Sequence, residues 1–222
     1  MPLTIALDGP VGAGKSSVAE AAAQRLGILH LDTGAMYRAV GLHALETGIS
    51  LSDEEAVTAL AHSAQIAVRY ESGTQRTLVD GLDVTDRLRT PEVSMAASTV
   101  ARYAGVRQAM VSLQRRLASE QPMLVDGRDI GSRVLPNATL KVYLTASAEE
   151  RARRRHLELA AKGLPDTYEQ VLAELKARDE QDMNRAVDPL RVAEGARVLD
   201  STNMNFDQVV DTLAAWAGEA EA

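Results

Sequence analysis

The chain contains no cysteine, which excludes a disulfide framework, a thiolate metal centre and a cysteine nucleophile. Aromatic residues make up only 3% of it, with one Trp and one Phe, too few for a base-stacking nucleic-acid surface. Long apolar runs are absent. The N-terminal stretch Leu3 to Leu7 stops at Asp8, well short of a membrane span, and has neither a basic flank nor a small-residue cleavage site. The four histidines, His30, His43, His62 and His156, lack metal-ligand spacing. The net charge is −7 and the pI near 5.2, whereas a free-standing duplex-binding protein would normally be basic. Lysine is scarce: Lys15, Lys141, Lys162 and Lys176 are the only four, and arginine supplies the rest of the 24 basic side chains. That excess suits a GC-rich coding bias, and it also suits bidentate binding of phosphate, for which the guanidinium fork is shaped. These absences lead to the expectation of a cytoplasmic monomer with no nucleic-acid or membrane partner.

What is present fits one compact α/β domain. With 222 residues, 45% hydrophobic and 25% charged, the chain can bury a substantial core. Leu3 to Leu7, Met123 to Val125 and Leu140 to Leu144 are continuous apolar runs, as expected of parallel strands buried on both faces. A short strand is expected at 28–31 and another at 197–199. Helical patterns lie at about 16–26, 35–45, 53–64, 92–101, 106–119, 148–161 and 167–184, with a last helix after Asn205 running to Trp216 and a frayed tail from Gly218 to Ala222. Residues 65–70 and 76–79 read instead as a hairpin around Glu71-Ser72-Gly73-Thr74. Strands alternating with helices predict a doubly wound parallel sheet, interrupted by a small antiparallel insert.

The strongest motif is Gly9-Pro10-Val11-Gly12-Ala13-Gly14-Lys15-Ser16, which fits G-x-x-x-x-G-K-[ST] between a buried strand and a helix. The glycines let consecutive backbone N–H groups turn inward around a phosphate, and the following helix adds the positive end of its dipole. Lys15 would reach the β- and γ-phosphates, and the Ser16 hydroxyl would face Mg²⁺. The motif therefore predicts a purine nucleoside triphosphate site, with ATP as its ligand. No Asn-Lys-x-Asp base-reading motif of a GTPase and no Leu-Ser-Gly-Gly-Gln signature of a transport ATPase occurs. A small-molecule kinase fits this length best.

Three further strings define an acceptor side: Leu31-Asp32-Thr33-Gly34-Ala35-Met36-Tyr37-Arg38, Asp126-Gly127-Arg128-Asp129, and Ala177-Arg178-Asp179-Glu180-Gln181-Asp182-Met183-Asn184-Arg185. Arg178, Asp182 and Arg185 fall at i, i+4 and i+7 and share a face if that helix continues, although spacing alone equally describes a surface salt bridge. With Leu88-Arg89-Thr90-Pro91 and the phosphate loop, these strings resemble the cytidylate kinases, bacterial members of the nucleoside monophosphate kinase family, over nearly the whole length. The resemblance implies an α/β P-loop kinase fold with a core (1–59, 91–148 and 166–222), a monophosphate-binding insert at about 60–90, and a short helical lid at about 149–165. It implies transfer of a phosphoryl group from Mg·ATP to CMP or dCMP. Gly9 to Ser16 with Ser17, Arg151 and Arg155 would hold ATP, and Ser16 the metal. Thr33, Arg38, Arg89, Ser98, Arg107, Arg128, Asp129, Arg178, Asp182 and Arg185 would bind the acceptor. Lys15, Arg128 and Arg185 would stabilise the transfer.

Asp129 and Arg107 are the implied base readers. A carboxylate suits cytosine's N4 amino donor and a guanidinium suits its N3 and O2 acceptors, while the O4 of uracil would repel Asp129. A kinase of the same fold with another acceptor, such as UMP or shikimate, and a nucleotide-binding regulator without turnover remain the alternatives. Which of Arg151, Arg153, Arg154 and Arg155 would point inward is left open by their spacing, as is a contribution of Ser201-Thr202-Asn203 to an adenine site.

Overall fold

The computed structural model describes residues 2–161 and 163–221, so Lys162 in the lid span and Ala222 lie outside it. Five strands form the central parallel sheet: β1 (Thr4–Asp8), β2 (Leu29–Asp32), β6 (Met123–Asp126), β7 (Leu140–Thr145) and β8 (Arg197–Asp200). Their order is β2-β6-β1-β7-β8, and every pairing is parallel. The antiparallel sheet β3 (Ile66–Glu71), β4 (Thr74–Val79) and β5 (Leu82–Asp83) lies between helices α3 (Glu54–Ser63) and α4 (Pro91–Val100).

Alternation along the strands explains the two layers of core. Ala6, Met123 and Val125 point to one face, where they meet Leu31, Met36 and Val106 of β2, α2 (Thr33–Glu46) and α5 (Ala104–Glu120). Ile5, Leu7 and Leu124 point to the other, packed on Val18, Ala22 and Leu213 of α1 (Lys15–Leu26) and α8 (Phe206–Glu221). A strand with helices on both faces must be apolar at every position, and that is what its sequence showed. The insert is no separate body: Ile66, Val79, Val84 and Leu88 are buried in the first of these cores. Helices α6 (Ala148–Ala161) and α7 (Tyr168–Asn184) pack on each other through Ala152, Leu159, Val171 and Leu175, with Val11 of the phosphate loop against them.

Two local expectations are revised. Helix α8 runs on to Glu221 rather than ending at Trp216, because the buried stripe of Val209, Val210, Leu213 and Ala217 is continued by partly buried Ala220. Helix α7 stops at Asn184, and Arg185 has extended dihedrals (φ −65°, ψ 143°), so Arg178, Asp182 and Arg185 do not share one helical face. Residues Ile130–Val134, for which the sequence carried no expectation, form a single wide helical turn. Its first amides are held by Asp8, whose Oδ1 accepts from Ile130 N (2.7 Å) and Oδ2 from Gly131 N (2.8 Å).

One close approach sets the spacing of α2 and α4. A Cβ on Gly41 would lie 2.9 Å from Ala96 Cβ and 3.0 Å from Ala97 N. Gly41→Ala must therefore push α4 outward, and urea denaturation should show a loss of about 2 kcal/mol despite the better helix propensity of alanine.

Candidate active site

Parallel α/β sheets bind ligands beyond the carboxyl ends of their strands, and here that edge is lined with carboxylates. Asp8, Asp32, Asp126 and Asp200 terminate β1, β2, β6 and β8. The loop after β1 turns back over this edge. Gly9, Pro10 and Ala13 are its buried spine, and a Cβ on Gly9 (φ +152°) would run into the Leu144 carbonyl oxygen. Gly14 (φ +83°) precedes the first turn of α1. Val11, Gly12, Gly14, Lys15, Ser16 and Ser17 line a cleft of about 360 Å³. Lys15 is buried, and its Nζ donates to the Pro10 carbonyl oxygen at 2.7 Å. Burial, together with the nearby Arg128 charge, drives its pKa well below 10.5, and an anion in the loop would push it back up.

Ser16 Oγ donates to Asp126 Oδ2 (2.9 Å), and His30 Nε2 meets Asp126 Oδ1 (2.7 Å). Burial pushes the Asp126 carboxyl up, but His30, Lys15 and Ser16 outweigh it and hold the pKa below 3.8. Burial likewise pulls the His30 imidazole down, and Asp126 more than offsets it, leaving the pKa above 6.5. The ionised carboxylate beside a hydroxyl is a hard-oxygen pair that fits Mg²⁺. Asp126 was not among the residues expected to serve a metal; its signal was a carboxylate ending a buried strand beside the loop.

The same cleft gathers most of the acceptor-side residues: Thr33, Arg38, Ser98, Arg107, Arg128, Asp129, Arg178, Asp182 and Arg185 all line it. Thr33 Oγ1 donates to the Asp126 carbonyl oxygen (2.7 Å). Arg38 Nη2 donates to Asp32 Oδ2 (2.6 Å), while its Nε is buried with no hydrogen-bond partner among the described residues. Arg128 Nε donates to Asp182 Oδ2 (2.9 Å) rather than to its neighbours Asp126 or Asp129. At the closed end, buried Arg107 bonds Asp129 through Nη2 and Asp188 through Nε (2.8 Å). Arg185 reaches Asp129 Oδ1 (3.1 Å) and the Asp188 carbonyl. Burial and the charge of Arg107 lower the pKa of Arg185. The Arg107 guanidinium also sits over the Tyr37 ring at 5.6 Å, an arrangement the sequence did not signal; Asp32, Ser94, Arg102 and Gln181 are further lining residues it did not single out.

Besides Gly9, Pro10 and Ala13, which form the buried spine of the loop, three expected arginines do not line this cleft. Arg89 is exposed and outside it. Arg151 is buried and bonds backbone: Nε donates to Ala146 O (3.0 Å), Nη1 to Val11 O (2.8 Å), and Nη2 pairs with Asp179 (2.7 Å). It staples α6 and α7 to the phosphate loop from outside. Arg155 pairs with Glu158, and Arg153 and Arg154 with Glu150, all at 2.8 Å. Arg154 also donates to Ser201 O (2.6 Å), at a second cavity lined by Ala13, Ser17, Ser201, Asn205 and Phe206 on the other side of the loop.

A family model described as cytidylate kinase matches residues 5–218. The chain belongs to the cytidylate kinase family. The cytidylate kinase of Caldicellulosiruptor bescii is 50% identical over 95% of this chain and 93% of that one. That of Desulforamulus reducens is 50% identical over 96% and 95%. Membership makes the chain an enzyme, a kinase. A solved gluconokinase from Sinorhizobium meliloti 1021 superposes with a TM-score of 0.51 over 98% of this chain and 93% of its own, at 17% identity, and shares the P-loop kinase fold.

The His30–Asp126 pair predicts a pH signature in stability. Because His30 is raised above 6.5, its contribution is complete below that pH and is lost as pH rises through the folded-state value. Because Asp126 is held below 3.8, its contribution is complete above that pH. Wild type should thus gain most over His30→Gln between pH 3.8 and 6.5, and the gain should shrink in alkali, as read from urea midpoints. A pH-independent difference would show that the pair carries no charge coupling.

Proposed function

We propose that this member of the family transfers the γ-phosphoryl group of Mg·ATP to CMP and to dCMP, giving ADP and CDP or dCDP. The observation that carries the reading is the pairing of buried Asp129 with Arg107 at the closed end of a cleft whose other end is the phosphate loop. That pair offers an acceptor for cytosine N4 and donors for N3 and O2, with the Ser98 hydroxyl lining the same cleft. Arg38, Arg128 and Arg185 line the same cleft, where they would clamp the acceptor phosphate, and the Nε of Arg38 is buried without a hydrogen-bond partner among the described residues. Arg178 and Asp182 would meet the ribose hydroxyls, and Thr33 would add its hydroxyl beside the acceptor.

In this reading Lys15 leaves the Pro10 carbonyl for the β- and γ-phosphates. The loop amides and the α1 dipole hold the remaining charge. Ser16 and Asp126 would hold Mg²⁺, which when bound neutralises phosphate charge. The acceptor needs no general base, since a phosphate monoester with a second pKa near about 6 is already nucleophilic at neutral pH. Catalysis is then alignment plus charge stabilisation by Lys15, Arg128 and Arg185. Arg151, Arg155 and Arg89 are proposed with a narrower part than the resemblance implied. Arg151 supports the loop through Val11 O, while Arg155 and Arg89 would reach a ligand only after the lid or the insert moves.

A panel of monophosphates with Mg·ATP tests the acceptor. ADP release should be much faster with CMP and dCMP than with AMP, GMP or UMP, and equal rates would sink the assignment. Asp129→Asn should cut kcat/KM for CMP roughly a hundredfold and shift relative preference toward UMP, because the amide can donate to uracil O4.

A further inference from the structure

The inserted sheet does more than pack on the core. Gln75 of β4 turns its side-chain amide to the junction of β2 and α2 and clasps one residue there. Its Oε1 accepts from the Asp32 N–H (2.8 Å), and its Nε2 donates to the Asp32 carbonyl oxygen (3.3 Å). The same Nε2 donates to Thr77 Oγ1 (3.2 Å), which keeps the amide in the plane that serves both contacts. Nearby, the Tyr70 hydroxyl of β3 donates to the His30 carbonyl oxygen (3.1 Å).

Asp32 is the residue whose carboxylate organises the next turn of chain. Its Oδ1 caps α2 by accepting from Ala35 N (3.0 Å), and its Oδ2 holds Arg38 Nη2 (2.6 Å). The group that aims Arg38 therefore hangs from a main-chain unit gripped at both its donor and its acceptor by one side chain. Only an amide of this length supplies a donor and an acceptor together at that reach. We infer that Gln75 is a positioning residue for the acceptor-phosphate site, acting through Asp32 on Arg38. The inference rests on the reading of Arg38 as a phosphate clamp.

Gln75 is not what keeps the insert attached. Ile66, Val79, Val84 and Leu88 are buried in the same core as Leu31 and Met36. Replacing the amide should therefore leave the fold in place and loosen only the aim of Asp32.

The test compares CMP with cytidine, which lacks the phosphate, by titration calorimetry on the full chain. Gln75→Leu should weaken CMP about tenfold, the scale of one or two lost hydrogen bonds, and leave cytidine within about twofold. KM for ATP should be unchanged. In an Arg38→Ala background the same substitution should add nothing to the loss of CMP affinity. Gln75→Glu, which keeps the acceptor but turns an oxygen toward the Asp32 carbonyl, should show a loss of the same selectivity if the leucine variant folds poorly. Equal losses for CMP and cytidine, full additivity with Arg38→Ala, or no loss at all would overturn the inference. Arg38→Ala binding CMP like wild type would instead remove the clamp reading, and the inference with it.

Discussion

Cations crowded into one cleft repel one another, and much of this architecture answers that repulsion before any ligand arrives. Arg38 is held by Asp32, Arg128 by Asp182, and Arg107 and Arg185 by Asp129. Two of these carboxylates depend on main-chain geometry set by neighbours. Asp32 ends β2 and caps α2. Asp129 precedes the wide turn whose first amides Asp8 accepts. Burial raises the pKa of Asp8 to about 6, so at neutral pH it is ionised and both of its oxygens can accept. The arginines can thus stand close together at fixed positions, which a flexible cluster of lysines would not achieve as well.

The fold was legible because its local and global signals agree. Apolar runs without polar interruption mark β1, β6 and β7, and the phosphate-loop string lies where the chain must turn between β1 and α1. The family resemblance likewise named most of the residues that line the cleft. What could not be read was pairing across the chain. Arg128 sits between two aspartates in sequence yet bonds Asp182, 54 residues away on α7. Arg178 and Asp182 have the spacing of a surface pair, but the carboxylate turns to Arg128 instead. Arg185 lies beyond the end of α7, and it reaches Asp129 from an extended segment that periodicity would not place there.

Arg151 shows the same limit differently. In sequence it is one of four arginines in five positions, and spacing leaves open which of them points inward. In the structure it alone of the four is buried, bonded to two backbone carbonyls and to Asp179. Its neighbours take the ordinary course of helix arginines and pair with glutamates three or four residues away. Helix α6 is therefore tied to the phosphate loop at its first turn, through Arg151 and Val11.

The paired state also bears on selectivity. A guanidinium already satisfied by a carboxylate gains little from a ligand that merely replaces it, since one charge-assisted bond is exchanged for another. Net affinity then comes from ligands that satisfy several groups at once: the buried Nε of Arg38, the Asp129–Arg107 pair and the loop with Lys15. A ligand carrying a phosphate without the matching base edge would break pairings without completing the exchange at the closed end. On the proposed reading, the aspartates that make the clustered arginines tolerable also reject the wrong acceptor, and stability and specificity here draw on the same side chains.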